Sequence, residues 1–354
     1  MHPLIAVVTL ALGAIGFSYA ADGGMYTTQP SSSLNGAALS TQAALGQRLF
    51  NDKRLSGDGT ISCASCHVPD KAFTDGLRVA KGIGEQLGTR NTPTLLNVNF
   101  ATSLFWDGRR HTLEDQAQDP FFNPREHGLK DREAIVKAVQ ADPSYQSAFK
   151  QVFGASSAVI TLARITQAIA AFERSLIAID APYDDYVRTH DNQKLSESAR
   201  RGLDLFQGRA RCASCHLVAA PVATFTDNQF HSLGIGYRKI EPRLAEITTH
   251  LANNRGQLLD HQIISDTEIS ELGRFAVTLN PQDIAKFRTP SLRNVELTAP
   301  YMHDGSIATL EEAVDIEIYY RGVELNRPLI LTPLERTDLV SFLRALTSLK
   351  MPRK

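Results

Sequence analysis

The chain carries one five-residue motif, Cys-Ala-Ser-Cys-His, in two identical copies that together contain all four of its cysteines. Four cysteines could form two disulfides, two redox dithiols or a zinc site of four thiolates with both histidines incidental. The histidine that ends each copy favours a different chemistry. Two thiols spaced by two residues can add to the two vinyl groups of a haem, and the next imidazole can then bind the iron. We therefore predict two covalent haem c groups, held by Cys63, Cys66, His67, Cys212, Cys215 and His216.

The sequence around each copy of the motif is repeated as well. A G-x-x-L-F motif precedes each copy, and a T-P-x-L-x-N-V motif follows it. Thirteen residues beyond the proline of that second motif stands one ring residue followed by Asp-Gly, which is Trp106 in the first half and His303 in the second. The register then holds without a gap to Leu113-Glu114 and Leu310-Glu311. This self-similarity indicates one ancestral mono-haem unit that was duplicated.

The two halves differ in one interval. From His67 to Pro93 there are 26 residues, whereas from His216 to Pro290 there are 74. We therefore predict an insertion in the second unit, within about residues 226–280.

The coarse secondary structure is predicted to be mainly α-helical. Residues 159–179 have apolar side chains at helical spacing, and the two G-x-x-L-F motifs are expected on helices that lead into the haem motifs. Pro333 is placed to begin a C-terminal helix with Thr332 as its N-cap. We predict two cytochrome c-like helical haem domains, the first over residues 41–190 and the second over residues 195–354.

The N-terminus predicts export. Leu4–Phe17 is an apolar run too short to span a bilayer, and Ser18-Tyr19-Ala20 suits a signal peptidase, although no Lys or Arg precedes Arg48. We predict a signal peptide over residues 1–20, a disordered segment over residues 21–40, a periplasmic location and no membrane span after cleavage. The net charge of −1 without a basic tract argues against a nucleic acid partner.

Taken together, these features resemble the bacterial di-haem cytochrome c peroxidases and their relative MauG. The resemblance rests on the two haem motifs, on FWDGR (Phe105–Arg109) after the first and on LTAPYMHDGS (Leu297–Ser306) after the second. It covers nearly the whole chain from about Leu45. It implies two helical haem domains that face each other, in which the first haem meets hydrogen peroxide and the second stores or relays electrons.

One loop of the first unit points to the MauG-like branch of this family. Ordinary peroxidases of the family carry a histidine there, which caps the iron until the other haem is reduced. The corresponding loop, residues 81–90 (KGIGEQLGTR), has none, and no His, Met, Cys or Tyr occurs between His67 and Trp106. We therefore expect the first haem to be five-coordinate, or to bind only water, in the resting state.

The resemblance also implies roles for side chains near the haems. Gln116 and Glu126 stand ten and twenty residues after Trp106, where the family has a hydrogen-bonding glutamine and a glutamate that shuttles protons. Trp106 is the only tryptophan and matches a residue that relays an electron or hole between the haems. His303 matches a histidine beside the second haem that is expected to bond a propionate.

The sixth ligand of the second haem and a calcium site are also implied. Counting fourteen residues from His303 selects Glu317, whereas aligning on Arg321-Gly322 selects Tyr319, and Tyr320 lies one helical turn beyond Glu317. An oxygen ligand from Tyr319, Glu317 or Tyr320 is therefore expected. The residues that match the family's calcium ligands are Asn91, Thr298 and Pro300.

Three functions are compatible with these residues. The first is a periplasmic peroxidase that uses hydrogen peroxide to form a high-valent di-haem state and oxidises a protein substrate. The second is a cytochrome c peroxidase that removes hydrogen peroxide with electrons from a small cytochrome c or cupredoxin. The third is a di-haem electron carrier that is not an enzyme, which an open first iron beside Gln116 and Glu126 argues against.

Overall fold

A computed structural model describes residues 39–154, 159–218, 222–254, 256 and 259–352, which belong to one compact unit. The predicted signal peptide and all but the last two residues of the predicted disordered segment lie outside the described residues. In the described ranges, no helix is long and apolar enough to cross a membrane.

The architecture is mainly α-helical, as predicted. The helices before the insertion are α1 (Thr41–Phe50), α2 (Cys63–Cys66), α3 (Leu113–Gln116), α4 (Asp119–Phe122), α5 (Arg132–Gln140), α6 (Pro143–Phe153), α7 (Leu162–Arg174), α8 (Pro182–Thr189) and α9 (Glu197–Gln207). The later elements are β1 (Phe230–His231), α10 (Tyr237–Ile240), α11 (Leu244–Asn254), α12 (Leu259–Ser265), α13 (Thr267–Glu271), α14 (Phe275–Thr278), β2 (Phe287–Arg288), α15 (Leu310–Glu324) and α16 (Pro333–Arg344).

Each half is built on one close helix pair. Helix α1 packs on α7 in the first half, and α9 packs on α16 in the second. The glycine of each G-x-x-L-F motif lies at the crossing, because a Cβ on Gly46 would stand 1.8 Å from the Ala168 carbonyl oxygen and one on Gly202 would stand 1.9 Å from the Asp338 carbonyl oxygen. The repeated glycine is therefore explained by the close approach of the two backbones. Beside it, Leu49, Phe50 and Phe206 are buried in the core, and Leu205 is partly buried against it.

The predicted start of the C-terminal helix is confirmed. Thr332 is the N-cap of α16, and its hydroxyl accepts from the amide of Glu335 while that carboxylate accepts from the Thr332 amide. This reciprocal capping satisfies amides that the helix itself cannot pair. The predicted helical segment 159–179 contains α7, which Thr161 caps in the same way at its hydroxyl.

The loops after the haem motifs repeat in conformation as well as in sequence. Asn97 and Asn294 both adopt φ of 62°, and the residues before Trp106 and His303 also have positive φ. Thr112 and Thr309 then cap the following helices, α3 and α15. The two halves therefore share their backbone conformation in these loops as well as their sequence motifs.

The predicted insertion is a small helical layer with its own hydrophobic cluster. It comprises α10 to α14, and its buried side chains are those of Ile240, Ile247, Leu251, Ile263, Ile264, Ile269, Leu272, Phe275 and Ala276. Strands β1 and β2 pair antiparallel on either side of it, with Phe230 opposite Arg288. The ends of the insertion are therefore held together at its base.

Two larger hydrophobic clusters accompany the helix pairs. One draws its buried residues from Leu45 to Ala178 and the other from Tyr183 to Leu346. The domain limits at residues 190 and 195 stay a prediction.

Candidate haem centres

The two motif histidines have the same environment in both halves. The Nδ1 atom of His67 lies 3.0 Å from the carbonyl oxygen of Phe73, and that of His216 lies 2.9 Å from the carbonyl oxygen of Phe225. A histidine whose Nδ1–H donates to a backbone carbonyl presents its Nε2 lone pair outward, as haem and metal ligands do. Burial lowers the pKa of both imidazoles, that of His216 to about 4, so the neutral form that can bind iron is favoured.

The four cysteines are all free thiols, which argues against two of the alternatives to haem, the disulfides and the four-thiolate zinc site. Neither pair forms a disulfide. Among the residues with described positions, one group of three possible ligands has its atoms within 4.8 Å of one another, namely Cys215, Asp227 and His231. The four-thiolate zinc site is therefore not assembled. A thioether from Cys215 to haem and a metal site on the same sulfur exclude each other.

The second unit contains a cavity of about 280 Å³ whose lining includes its complete haem motif. Cys212, Cys215 and His216 lie on one part of the wall, and apolar side chains such as Leu292 and Val314 line much of the rest. An apolar cavity bounded by two thiols and a buried imidazole fits a c-type haem. These residues can therefore hold the second haem.

The three candidate sixth ligands lie in different places on α15. Glu317 lines the cavity together with Arg321, whose Nη2 atom is 3.8 Å from its carboxylate. The Tyr319 side chain is 56% exposed and packs edge-on against the Tyr320 ring. The Tyr320 ring packs against Gly234. Of the three candidates, Glu317 is the one that lines the cavity to which His216 also belongs.

Trp106 belongs to the first unit but lines the cavity of the second. Its indole Nε1–H donates to the carbonyl oxygen of Asn91 at 2.9 Å, and its own carbonyl oxygen accepts from the Arg288 amide at 2.7 Å. The ring is therefore fixed between the two halves of the chain. This position is compatible with the predicted relay between haems.

His303, the repeat partner of Trp106, is buried and has a protein partner. Its Nε2 atom lies 2.6 Å from a carboxylate oxygen of Glu271, and its ring stacks on Phe287 with centroids 3.6 Å apart. Gly236 makes room for that carboxylate, because a Cβ there would stand 1.8 Å from it. His303 lines the second cavity with its Nε2 atom bonded to Glu271, and its bond to a propionate stays a prediction.

The three predicted calcium ligands also line this cavity. Asn91 comes from the first half of the chain, and Thr298 and Pro300 come from one segment of the second half. The Asn91 Nδ2 atom donates to the carbonyl oxygen of Leu77 at 2.9 Å, which leaves Oδ1 as the atom that could bind a cation. The calcium site stays a prediction.

In the first unit, Glu126 lies close to the haem motif. Its charge raises the pKa of the Cys63 and Cys66 thiols, after the larger effect of their burial. Burial, reinforced by Asp119 and Asp260 and opposed by Arg109, raises the pKa of Glu126 to about 7. A carboxyl that titrates near neutral pH can both accept and return a proton. Gln116 lies partly buried at the end of α3.

The histidine-free loop packs directly against the turn that carries Glu126. A Cβ on Gly82 would stand 2.0 Å from the Arg125 carbonyl oxygen and 2.7 Å from the Glu126 Cα atom. The Ile83 amide donates to the Glu126 carbonyl oxygen at 2.9 Å. Lys81 in this loop pairs with Glu85 at 2.8 Å. The loop therefore supports Glu126 rather than supplying a side chain known as a strong iron ligand.

Several residues near the two centres escaped sequence reasoning. His231 lines the second cavity and bonds Asp227 at 2.7 Å. Glu271 and Asp260 come from the insertion, and Arg109 joins Asp260 to the first unit. None of the insertion residues has a counterpart in the first half, so the internal repeat could not identify them. The signal that was available for Arg109 is its place in FWDGR.

Comparisons with known proteins agree with this geometry. The family model of di-haem cytochrome c peroxidase matches residues 40–192. The chain is 35% identical over 317 residues to cytochrome-c peroxidase IdrP1 of Pseudomonas sp. (strain SCT), covering 86% of this chain and 80% of the relative. It is 34% identical over 312 residues to methylamine utilization protein MauG of Methylorubrum extorquens, covering 86% and 78%. The crystal structure of a MauG-like protein associated with microbial copper homeostasis matches with a TM-score of 0.72 and 32% identity, over 94% of this chain and 96% of the other.

Proposed function

The chain belongs to the di-haem cytochrome c peroxidase family, and on that premise we propose that this enzyme works in the periplasm and uses hydrogen peroxide to oxidise a partner protein. When bound, its two haem c groups supply the redox chemistry, in which peroxide takes up two electrons and two protons and leaves as two waters. The partner protein loses the two electrons.

The chain's own residues have distinct parts in this proposal. Glu126 takes a proton from incoming peroxide and returns it to the departing oxygen, while Gln116 holds peroxide by a hydrogen bond. Trp106 passes an electron between the two halves, and His67 and His216 hold the irons through Nε2. His303, buried against Glu271, keeps its place beside the second haem.

The observation that carries the proposal is the contact between loop 81–90 and Glu126. The loop contains no histidine, methionine, cysteine or tyrosine. Its Gly82, which has no side chain, lets it pack on the backbone of the acid–base residue Glu126. An acid–base group beside a haem that lacks a strong sixth ligand suits peroxide cleavage at rest. An enzyme gated by reduction would need a capping ligand at this place.

The resting state is therefore expected to react without prior reduction. In the fully oxidised protein, the first haem should give a high-spin signal in electron paramagnetic resonance, and one equivalent of peroxide should change the optical spectrum at once. Two low-spin signals, with no response to peroxide until one haem is reduced, would mean that another group caps the first iron.

Glu317 is proposed as the sixth ligand of the second haem. Replacing Glu317 by Ala should change the absorption and paramagnetic resonance spectra of the oxidised second haem, because the oxygen donor is lost from the cavity. Tyr319→Phe is a matched control, since that exposed ring should leave both spectra unchanged. Spectra altered by Tyr319→Phe, Tyr320→Phe or His231→Ala, but not by Glu317→Ala, would assign the ligand to that other residue.

Removal of peroxide with electrons from a small cytochrome c or cupredoxin is the second candidate. The observation that favours it is that the chain is as similar to cytochrome-c peroxidases as to MauG. The family is one of enzymes, which argues against the di-haem electron carrier. For the leading candidate, the first partner to test is a copper-handling periplasmic protein, because the MauG-like structure that the chain resembles is associated with copper homeostasis.

One experiment separates the two candidates. The oxidised enzyme is mixed with peroxide, and either a reduced small cytochrome c or the candidate partner protein is added. The proposal predicts slow oxidation of the cytochrome and a stable change in the mass of the partner that requires both peroxide and enzyme. Rapid, saturable oxidation of the cytochrome with an unmodified partner would support peroxide removal instead.

We also propose that a calcium ion links the two halves of the chain. Asn91, Thr298 and Pro300 are proposed to hold one ion through the asparagine oxygen and two backbone carbonyls. Hard oxygen donors of this kind suit calcium.

A further inference from the structure

The insertion of the second unit is docked on the first unit. The Thr89 hydroxyl donates to the carbonyl oxygen of Ile263 at 2.6 Å, and the Arg90 Nη2 atom donates to that of Ser270 at 2.7 Å. Arg274 reaches back and donates to the carbonyl oxygens of Asp107 and Gly108, both at 2.9 Å. The insertion therefore lies over the end of the histidine-free loop and over the FWDGR segment.

Asp260, at the start of α12 in the insertion, bridges two arginines of the first unit. Arg109 donates from Nε to Asp260 at 2.6 Å, and Arg110 donates from Nη2 to its other oxygen at 3.1 Å. The Arg109 side chain is only 6% exposed. It also donates from Nη1 to Asp107 at 2.9 Å, and its Cζ atom lies 3.4 Å from the centre of the Phe105 ring. A buried guanidinium with these partners has one defined position.

The position of the Arg109 guanidinium affects the ionisation of the Glu126 carboxyl. The charge of Arg109 favours the ionised form of the Glu126 carboxyl, while the charge of Asp260 opposes it. Asp260 also touches the turn that carries Glu126, because Asn123 donates from Nδ2 to the Asp260 carbonyl oxygen at 3.5 Å and accepts from the Glu126 amide at 3.1 Å. One residue of the insertion therefore contacts both Arg109, the counter-charge, and Asn123, which in turn bonds the amide of the acid–base residue.

We propose that Asp260 is a positioning residue through which the second unit's insertion controls proton transfer at Glu126 in the first unit. Its carboxylate holds Arg109 and Arg110, and its negative charge acts on Glu126. The inference rests on the proposed acid–base role of Glu126 and assigns a purpose to the insertion within that role.

The sign of the effect follows from the charges around Glu126. Removing the charge of Asp260 removes a repulsion and leaves Arg109 with one carboxylate partner fewer, and both changes favour the ionised form of Glu126. The Asp260→Asn variant should therefore ionise Glu126 at lower pH than the wild type. The titratable and charged groups that face this carboxyl are Arg109, Asp119, Asp260, Cys63 and Cys66, the two thiols being bound to haem in the mature protein.

The test uses the holoenzyme and two readouts. One is the pH profile of the reaction with peroxide, followed by rapid mixing. The other is the infrared band of the protonated Glu126 carboxyl, identified by its loss in Glu126→Gln. In Asp260→Asn, the midpoints of the rate profile and of the infrared band should both move down by about 0.5 to 1 pH unit. This is the size expected when one nearby charge is removed from a partly buried site. Midpoints that stay put or move up would overturn the inference.

Three further variants make the result decisive. Glu268→Gln removes another insertion carboxylate, one that pairs with Arg243, and should leave both midpoints unchanged. Asp260→Glu keeps the charge and should restore most of the wild-type profile. Asp260→Ser offers a second neutral side chain if the Asn variant loses haem or unfolds. A shift shared by Glu268→Gln would reduce the effect to general charge and overturn the inference.

Failure of the proposed function gives a different pattern. If Glu126→Gln reacts with peroxide at the wild-type rate, the acid–base role is wrong. The infrared midpoint still reports whether Asp260 controls the ionisation of Glu126.

Discussion

Replacing Glu126 by Gln should slow the reaction of the oxidised enzyme with hydrogen peroxide by about 10²–10⁴-fold, the range usual for a general acid–base group. Glutamine keeps the size and hydrogen bonding of the side chain but cannot accept and return a proton. Rapid mixing with peroxide, followed in the haem absorption bands, measures the rate directly. Glu85→Gln is the matched control, since this exposed carboxylate of the neighbouring loop pairs with Lys81.

The pH dependence sharpens this expectation. The carboxylate form must take the first proton, and burial raises the pKa of Glu126 to about 7. The wild-type rate should therefore rise as the pH increases through about 7, and the Glu126→Gln variant should lose this rise. A variant that reacts within threefold of the wild type and keeps the pH profile would show that another group moves the proton.

Trp106→Phe should leave the reaction at the first haem nearly intact but abolish oxidation of the second haem. Phenylalanine retains much of the ring area, yet it is harder to oxidise than indole. The substitution also removes the bond from Nε1 to the Asn91 carbonyl oxygen, at a cost of about 1 kcal/mol in stability. This loss is too small to unfold a domain of ordinary stability. The second effect should therefore be electronic.

Rapid-mixing spectra that resolve the two haems provide the measurement. Trp106→Tyr keeps an oxidisable ring and should restore part of the second haem's response. Phe100→Leu changes another aromatic residue that lines the same cavity and should have no effect. Oxidation of both haems at the wild-type rate in Trp106→Phe would make Trp106 a packing residue, with the electron path elsewhere.

The helical framework was largely readable from the sequence because its signals are local. A capping threonine and a proline at the first helical position act through their neighbours in the chain, and Thr332 and Pro333 begin α16 as predicted. The duplication supplied a second reading of each motif. A pattern found twice, in the same register, predicts the same local backbone in both halves.

The sequence did not distinguish between the candidates for the sixth ligand of the second haem. Glu317 and Tyr319 are two residues apart, and alignment on different motifs selects one or the other. On a helix, residues two apart face nearly opposite directions, whereas residues four apart share a face. The structure accordingly has Glu317 and Arg321 in the cavity and Tyr319 exposed. Only the rotation of α15 against its neighbours distinguishes them.

The contacts of the insertion were not predictable at all. Asp260 meets Arg109 across 151 positions of sequence, and the first half contains no copy of the segment for comparison. A lone aspartate in a helical stretch looks like any solvated side chain. The contacts of Asp260 form only when the insertion packs on the first unit, and no local sequence pattern predicts that packing.

The distance along the chain between Asp260 and the first haem motif also has a consequence for biosynthesis. The buried residues of the first unit's hydrophobic cluster all lie at or before Ala178, and a growing chain of that length already contains Cys63, Cys66, His67 and Glu126. N-terminal domains generally fold first during synthesis. The first haem can then be attached to a unit whose peroxide side is still uncovered. The aspartate that adjusts its proton chemistry arrives later, when the second unit has emerged, so the first centre gains its mature reactivity last.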